Sequence, residues 1–218
     1  MHVPVMVWLL AVLLLLPLVL RLALAFVYGR GIGRKVLAEQ KPAVHLAPAS
    51  EAAAQRPDAI ESLARRLQVE GFADAGWFTI TEMPEIVLRM LAHEPEGWLA
   101  ILYEHRRAKE PWVEINARFP DGSRLAFSDR PTTGLASLPG VEHHHMAGAS
   151  PEAMLRAARA ARGTRDMTPL TVSVSTAARV LEEGYAQLAA LRGQQGISRG
   201  EVVAVSVRPS QVGRGKAG

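Results

Sequence analysis

The sequence contains no cysteine, and patterns typical of enzymes are almost as scarce. The absence of cysteine excludes disulfide bonds, thiolate metal ligands and catalytic thiols, yet it suits an oxidising or a reducing compartment equally. There is no HExxH pattern, no phosphate-binding glycine-rich loop and no zinc-ligand spacing. Nucleic acid is not indicated either, because no binding motif accompanies the small net charge of +4. No reaction is identified by these patterns.

Charge is nearly absent from residues 3–28, where Arg21 is the single charged side chain. As an α-helix this stretch would be roughly 39 Å long at about 1.5 Å per residue, which exceeds the ~30 Å hydrocarbon core of a bilayer. Pro17 is compatible with a spanning helix, because proline is tolerated in membrane helices. We therefore predict a single transmembrane anchor over residues 1–28.

Two alternatives to the anchor follow from the same stretch. A cleaved signal peptide would explain Ala23, Leu24 and Ala25, which have the small-x-small form of a cleavage site. However, no basic residue precedes the apolar run, which is also longer than the about 7–15 residues of a signal core. A buried core helix would be expected to show a polar face, and this stretch has none. We favour the anchor over both.

Basic residues cluster at the end of the predicted span and just after it, with no acidic residue before Glu39. Cytoplasmic flanks of membrane spans carry an excess of lysine and arginine. The cluster therefore predicts a single-pass topology with the N-terminus outside and the remaining chain in the cytoplasm, next to the lipid bilayer. Its members are Arg21, Arg30, Arg34 and Lys35.

The chain after the span separates into a linker and a folded part. Residues 29–57 form a basic hinge and an Ala/Pro-rich segment without a core pattern, and they are predicted to be a linker. An amphipathic helix begins near Asp58, and residues 72–130 contain short alternating apolar runs between turns, which is typical of an antiparallel β-meander. Residues 131–149 read as a long loop, and a capped helix opens at Ser150.

These elements predict one α+β domain over residues 58–165, with an antiparallel meander flanked by helices. Residues 166–208 are predicted to be a C-terminal αβ or helical extension, in which residues 201–207 fit either a strand or a helix. Residues 209–218 are predicted to be a disordered tail. Residues 99–103 are apolar at every position. Each face of the sheet must therefore be covered there, either by helices or by a partner protein.

Three consecutive histidines, His143, His144 and His145, are the candidate metal ligands of the sequence. Imidazoles bind borderline divalent metals, and Glu142 and Met146 lie beside them. Against a metal site, a structural zinc needs four converging ligands, and neighbouring loop residues seldom point at one ion. We predict no cofactor, and a metal-dependent module or an enzyme that uses this loop is the alternative function.

Two further features are candidates for contact with a partner. Arg156, Arg159 and Arg162 are spaced by three, so their guanidinium groups share one side of a helix and suit phosphates or acidic side chains. Trp112 alternates with polar residues, whereas Trp98 opens the strand that is apolar on both faces. We therefore predict that Trp98 is structural and that Trp112 contacts a partner.

The function that the sequence favours is non-catalytic. We expect a single-pass membrane-anchored protein whose α+β domain is an interaction module or an accessory subunit, with another protein as its partner.

Overall fold

The computed structural model describes residues 41–130, 138–163, 165–196, 198 and 201. The chain divides into a sheet unit, Lys41–Thr132 with Ser137–Leu191, and a second unit, which is Met1–Gln40, Thr133–Ala136 and Arg192–Gly218. The predicted span, its basic flank and most of the predicted tail lie outside the described residues. Among the helices that are described, none has the length and apolar content needed to cross a bilayer.

Within the described residues, seven strands form one mixed sheet in the order of the chain. Strands β1 to β6 pair antiparallel, as the alternating apolar runs and short turns predict, and β7 lies parallel to β6 at the edge. The α+β class is therefore confirmed, and the sheet is mixed instead of purely antiparallel. The strands are β1 (Leu46–Ala49), β2 (Ala73–Ile80), β3 (Met83–His93), β4 (Trp98–His105), β5 (Trp112–Arg118), β6 (Arg124–Ser128) and β7 (Val141–His145).

The structure differs from two segment predictions at the edges of this sheet. The predicted linker contributes β1, and Val44 just before it is buried. The predicted loop over residues 131–149 contains β7. Neither strand has a clear apolar alternation of its own. Each one pairs with the free edge of a neighbouring strand, whose backbone donors and acceptors otherwise lack partners within the sheet.

In the described part of the chain, three α-helices cover the two faces of the sheet. They are α1 (Pro57–Val69), α2 (Pro151–Arg162) and α3 (Ala177–Gln195). We call face A the side on which Trp98, Ala100 and Leu102 of β4 lie, and α1 and α2 pack there through Ile60, Leu67, Met154 and Leu155. On the other side, face B, Leu99 and Ile101 pack against Ala177 and Leu181 of α3. Helices therefore cover both faces of the doubly apolar strand.

Buried ion pairs attach α1 to face A. Arg89 of β3 is 6% exposed and binds Glu61 of α1 and Asp74 of β2, with 2.7 Å between Arg89 Nη2 and Asp74 Oδ2. Glu104 of β4 accepts a hydrogen bond of 2.9 Å from the Arg56 side chain at the start of α1. Because an unpaired buried charge is costly, these pairs constrain how α1 lies on the sheet.

Strand directions give the sheet a proximal and a distal end. We call proximal the end at which β1 begins at Leu46. Leu46 pairs with Ile80, the last residue of β2, and Tyr103 near the end of β4 pairs with Trp112, the first residue of β5. Strands β6 and β7 also end there. The chain therefore reaches the sheet at the end that carries Trp112.

Candidate functional site

Trp112 lies in an aromatic cluster at the proximal end of face B. Its ring stacks on Tyr103, its direct cross-strand neighbour, with ring centroids 5.2 Å apart and planes 10° apart. The Arg130 guanidinium carbon lies 4.5 Å from the centroid of the Trp112 ring. Trp112 nevertheless stays half-buried, whereas Trp98 has 0% exposure. The burial of Trp98 agrees with the structural role predicted for it. Trp112 keeps part of its surface exposed, as Trp77 also does.

An exposed basic turn adjoins the aromatic cluster. Residues 106–111 connect β4 to β5 and contain Arg106, Arg107 and Lys109 against one acidic residue, Glu110. All four side chains are exposed. Within the described part of the chain, none of the three cations has a carboxylate within ion-pair distance. The turn is thus a surface of net charge +2 from three bases and one acid.

Hydrogen bonds connect the basic turn to neighbouring elements of the fold. The Arg56 side chain at the start of α1 donates to the Ala108 carbonyl at 2.7 Å. The Arg106 amide donates to the Glu85 carbonyl at 3.1 Å, and the Arg107 amide donates to His105 Nδ1 at 3.0 Å. The backbone that carries the cations is therefore attached to both β3 and α1.

A second polar group lies on face B beside the aromatic cluster. Glu114 accepts hydrogen bonds from Asn116 at 3.1 Å and from Arg124 at 3.4 Å, and Asn116 is only 2% exposed. Burial lowers the pKa of His143, which faces Glu114 and Arg124. Arg124 Nε is buried and has no hydrogen-bond partner among the residues that the structure describes. Alternating polar positions on β5 suggest an exposed face, but in the structure Asn116 is buried and Glu114 and Arg118 are half-buried.

The histidines that were predicted to lie in a loop form part of β7. Strand alternation puts His143 and His145 on face B and His144 on face A. His144 stacks on Phe127 with ring centroids 4.5 Å apart and shares a hydrogen bond of 2.6 Å with Glu142. No group of three or more potential ligands in the described residues is arranged to hold a metal ion. The three imidazoles therefore do not converge on one ion.

The arginines of α2 have three different environments. Arg156 is exposed. Arg159 binds Glu96 through its Nε at 3.0 Å and Glu70 through its Nη1 at 3.3 Å. Arg162 approaches the Glu96 carbonyl at 3.5 Å, and it lines a shallow depression of about 640 Å³ with Arg165. Arg159 and Arg162 thus bind groups within the domain, and contact of the three arginines with a partner stays a prediction.

Glu96 connects α2 to the distal end of the sheet. It accepts a hydrogen bond of 2.9 Å from the Trp98 indole N–H in addition to those from Arg159. Burial raises the pKa of Glu96, but the hydrogen bonds from Arg159 and Trp98 outweigh this and the pKa lies below its ordinary value. The carboxylate is therefore held charged as a structural group.

Residues with acid–base chemistry do not assemble into a catalytic set within the described chain. Glu104 is occupied by Arg56, and it lies on face A, whereas its neighbour His105 points to face B. Residues 196–200 spell GxSxG, but a helix, α3, precedes them, whereas the nucleophile elbow follows a strand. Ser198 Oγ accepts the amide N–H of Glu201 at 3.2 Å, as in a helix cap.

Sequence reasoning located Trp112 but not the groups around it. Tyr103 lies in β4 and Arg130 follows the end of β6, and no periodicity predicts that both side chains contact one ring. The basic turn was visible as a charged loop, yet its position at the proximal end depends on the strand order. No protein family, curated protein or solved structure matches this chain.

Proposed function

We propose that this chain is a membrane-anchored interaction protein, and that its α+β domain binds another protein through the aromatic cluster of Tyr103, Trp112 and Arg130. Residues 3–28 would supply the anchor. The domain would act as a non-catalytic module or accessory subunit on the cytoplasmic side.

The half-buried Trp112 is the observation that carries this proposal. Tyr103 and Arg130 fix the ring in place, so little conformational entropy is lost when a partner covers the remaining surface. Tryptophan and arginine are also the residue types most enriched among interface hot spots. A partner with acidic and apolar groups would complement the cluster and the cations beside it.

Co-purification of the full chain from membranes tests the protein contact. We expect a partner that is retained by the wild type to be lost from Trp112→Ala, with the loss of at least about 2 kcal/mol that defines a hot spot. Trp112→Phe keeps an aromatic ring and should retain part of the binding. Trp77→Ala is the matched control, because Trp77 is also half-buried and contacts an arginine, Arg89, 5.4 Å from its ring.

Two results would contradict the proposal. One is equal partner recovery with wild type and Trp112→Ala at similar thermal stability. The other concerns the anchor: release of the full chain from membranes by alkaline carbonate, or a mature N-terminus at Phe26, would exclude the transmembrane span. A reporter fused after residue 57 should be active only if it is a cytoplasmic type.

A further inference from the structure

Strand β7 is an edge of the sheet, and its outer side carries backbone groups without partners. The Met146 amide, just past the end of β7, donates to the Ser128 carbonyl of β6 at 2.8 Å. Backbone groups alternate in direction along a strand, so even-numbered residues here face β6 and odd-numbered residues face away. The amide and carbonyl groups of His143 and His145 therefore point outward, and no residue that the structure describes pairs with them.

The other edge strand of the described sheet, β1, has its outward amides blocked. The His45 carbonyl accepts the Thr81 amide at 2.9 Å, so His45 faces β2 and the groups that face outward belong to Leu46 and Pro48. The Leu46 amide donates to Glu182 of α3 at 2.6 Å, and proline has no amide hydrogen. Proline and lysine are common protections of sheet edges, and β7 contains neither. The open edge is therefore that of β7.

The surroundings of β7 leave room for another strand. Helix α2 follows β7 in the chain but packs over β5 and β6. Both His143 and His145 are exposed. Glu142 is the one carboxylate of β7, and hydrogen bonds from His144 and Arg165 lower its pKa, so it is charged. Arg165 offsets that charge, and the edge therefore does not repel a second edge of the same kind.

We propose that β7 pairs antiparallel with β7 of a second copy of this chain. Hydrogen-bonded pairs in such a ladder form between outward-facing residues, so the two-fold axis passes beside His143 or beside His144. About His143, the Glu142 carboxylate lies opposite the His144 imidazole of the second copy, and such complementary cross-strand pairs are stabilising. About His144, two identical imidazoles would lie opposite each other. Charge complementarity therefore favours the register that is centred on His143.

The sheets of the two copies would continue into each other at this edge. A contact through one five-residue strand is small, and interfaces below about 1,000 Å² are weak or transient, so we expect reversible pairing. Trp112 lies on β5, two strands from the edge, and stays accessible in the pair. The inference therefore does not rest on the membrane anchor or on the partner contact proposed above.

Disulfide trapping of the full chain in mild detergent tests the register. The chain lacks cysteine, so His143→Cys and His145→Cys each introduce one thiol on the same face of β7. Directly opposite residues have Cα atoms about 5.5 Å apart, a distance that a disulfide bridges. The Cα atoms of residue 145 in the two copies would be roughly 14 Å apart, four positions at about 3.4 Å each. We expect the His143→Cys variant to be linked at least about tenfold faster, because the other pair is beyond disulfide reach.

Proline at the same position tests the backbone contact. His143→Pro removes the outward amide hydrogen and keeps the hydrogen bonds to β6, whereas His143→Ala retains that hydrogen. Two hydrogen bonds are lost from each pair, so dimerisation of the Pro variant, measured by sedimentation, should be about 5- to 150-fold weaker than that of the Ala variant. His143→Lys serves as a second test if the Pro variant does not keep its melting temperature. It puts like charges opposite each other and should weaken dimerisation by up to about fivefold.

The inference is overturned if the full chain shows no concentration-dependent association, or if His143→Cys is linked no faster than His145→Cys. Equal association of the Pro and Ala variants at position 143 contradicts it as well, and faster linkage of His144→Cys contradicts the register. If His143→Pro loses the co-purifying protein while its self-association is unchanged, the edge takes a strand of that protein and the pairing of two copies is wrong. The role of Trp112 is tested separately by its own variants.

Discussion

Truncation of Trp98 is the sharpest test of the architecture. Its side chain is completely buried on face A, between β4 and the helices α1 and α2, and its indole N–H donates to Glu96 at 2.9 Å. Trp98→Ala should lower the free energy of unfolding by about 3–5 kcal/mol, the usual loss for a large buried aromatic residue. For a unit of this size the melting temperature should fall by about 6–20 °C.

Two further variants separate the contributions to this loss. Trp98→Phe keeps an aromatic ring and removes the N–H, so we expect an intermediate loss of about 1.5–3 kcal/mol, the range for a hydrogen bond to a charged group. Trp112→Ala removes one aromatic stack and one cation–π contact from a half-exposed site. Its expected cost is only about 1–2.5 kcal/mol.

Thermal and urea unfolding of the full chain, followed by far-ultraviolet circular dichroism, measures these differences without depending on tryptophan emission. The reasoning fails if Trp98→Ala is no more destabilised than Trp112→Ala. It also fails if Trp98→Phe is as stable as the wild type, because the Glu96 hydrogen bond would then contribute nothing.

Three further predictions concern acid stability, the domain boundary and the histidines. The hydrogen bond from Arg66 lowers the pKa of Glu152 from 4.5 to about 2, so the stability from this pair is present above pH 4.5 and is lost as the pH falls through 2. The melting temperatures of wild type and Arg66→Gln should therefore converge between pH 4.5 and pH 2. Equal melting temperatures of the two proteins at neutral pH would contradict this prediction. A chain that lacks residues 1–40 keeps β1, whereas a chain that lacks residues 1–57 loses it. The chain without residues 1–57 should therefore be less resistant to protease than the chain without residues 1–40. His144→Ala should cost about 0.5–1.5 kcal/mol through the lost stacking on Phe127, and a zinc-dependent rise in the wild-type melting temperature would contradict the separation of the histidines across β7.

Alternation in the sequence was enough to predict the central strands and their buried sides. Val113, Ile115 and Ala117 fall on face A because side chains alternate along a strand, and residues 99–103 are covered on both faces as their composition requires. The helices at Asp58 and Ser150 were visible from their apolar spacing, and α2 begins with the predicted cap, in which Ser150 Oγ accepts the Ala153 amide N–H at 3.3 Å. These features depend on residues that are close in the chain, so local sequence patterns are enough to predict them.

The edges of the sheet and the partners of the charged residues were decided by tertiary structure. Strands β1 and β7 form because β2 and β6 offer unpaired backbone groups, a condition that no pattern within residues 46–49 or 141–145 expresses. Arg159 meets Glu96 across 63 residues of chain. Tyr103 and Arg130 contact the Trp112 ring from separate parts of the chain. These contacts, like that of Arg159 with Glu96, form only when the fold brings distant residues together. A membrane span over residues 1–28, by contrast, stays a prediction from the sequence, since it rests on the polarity of a continuous stretch outside the described residues.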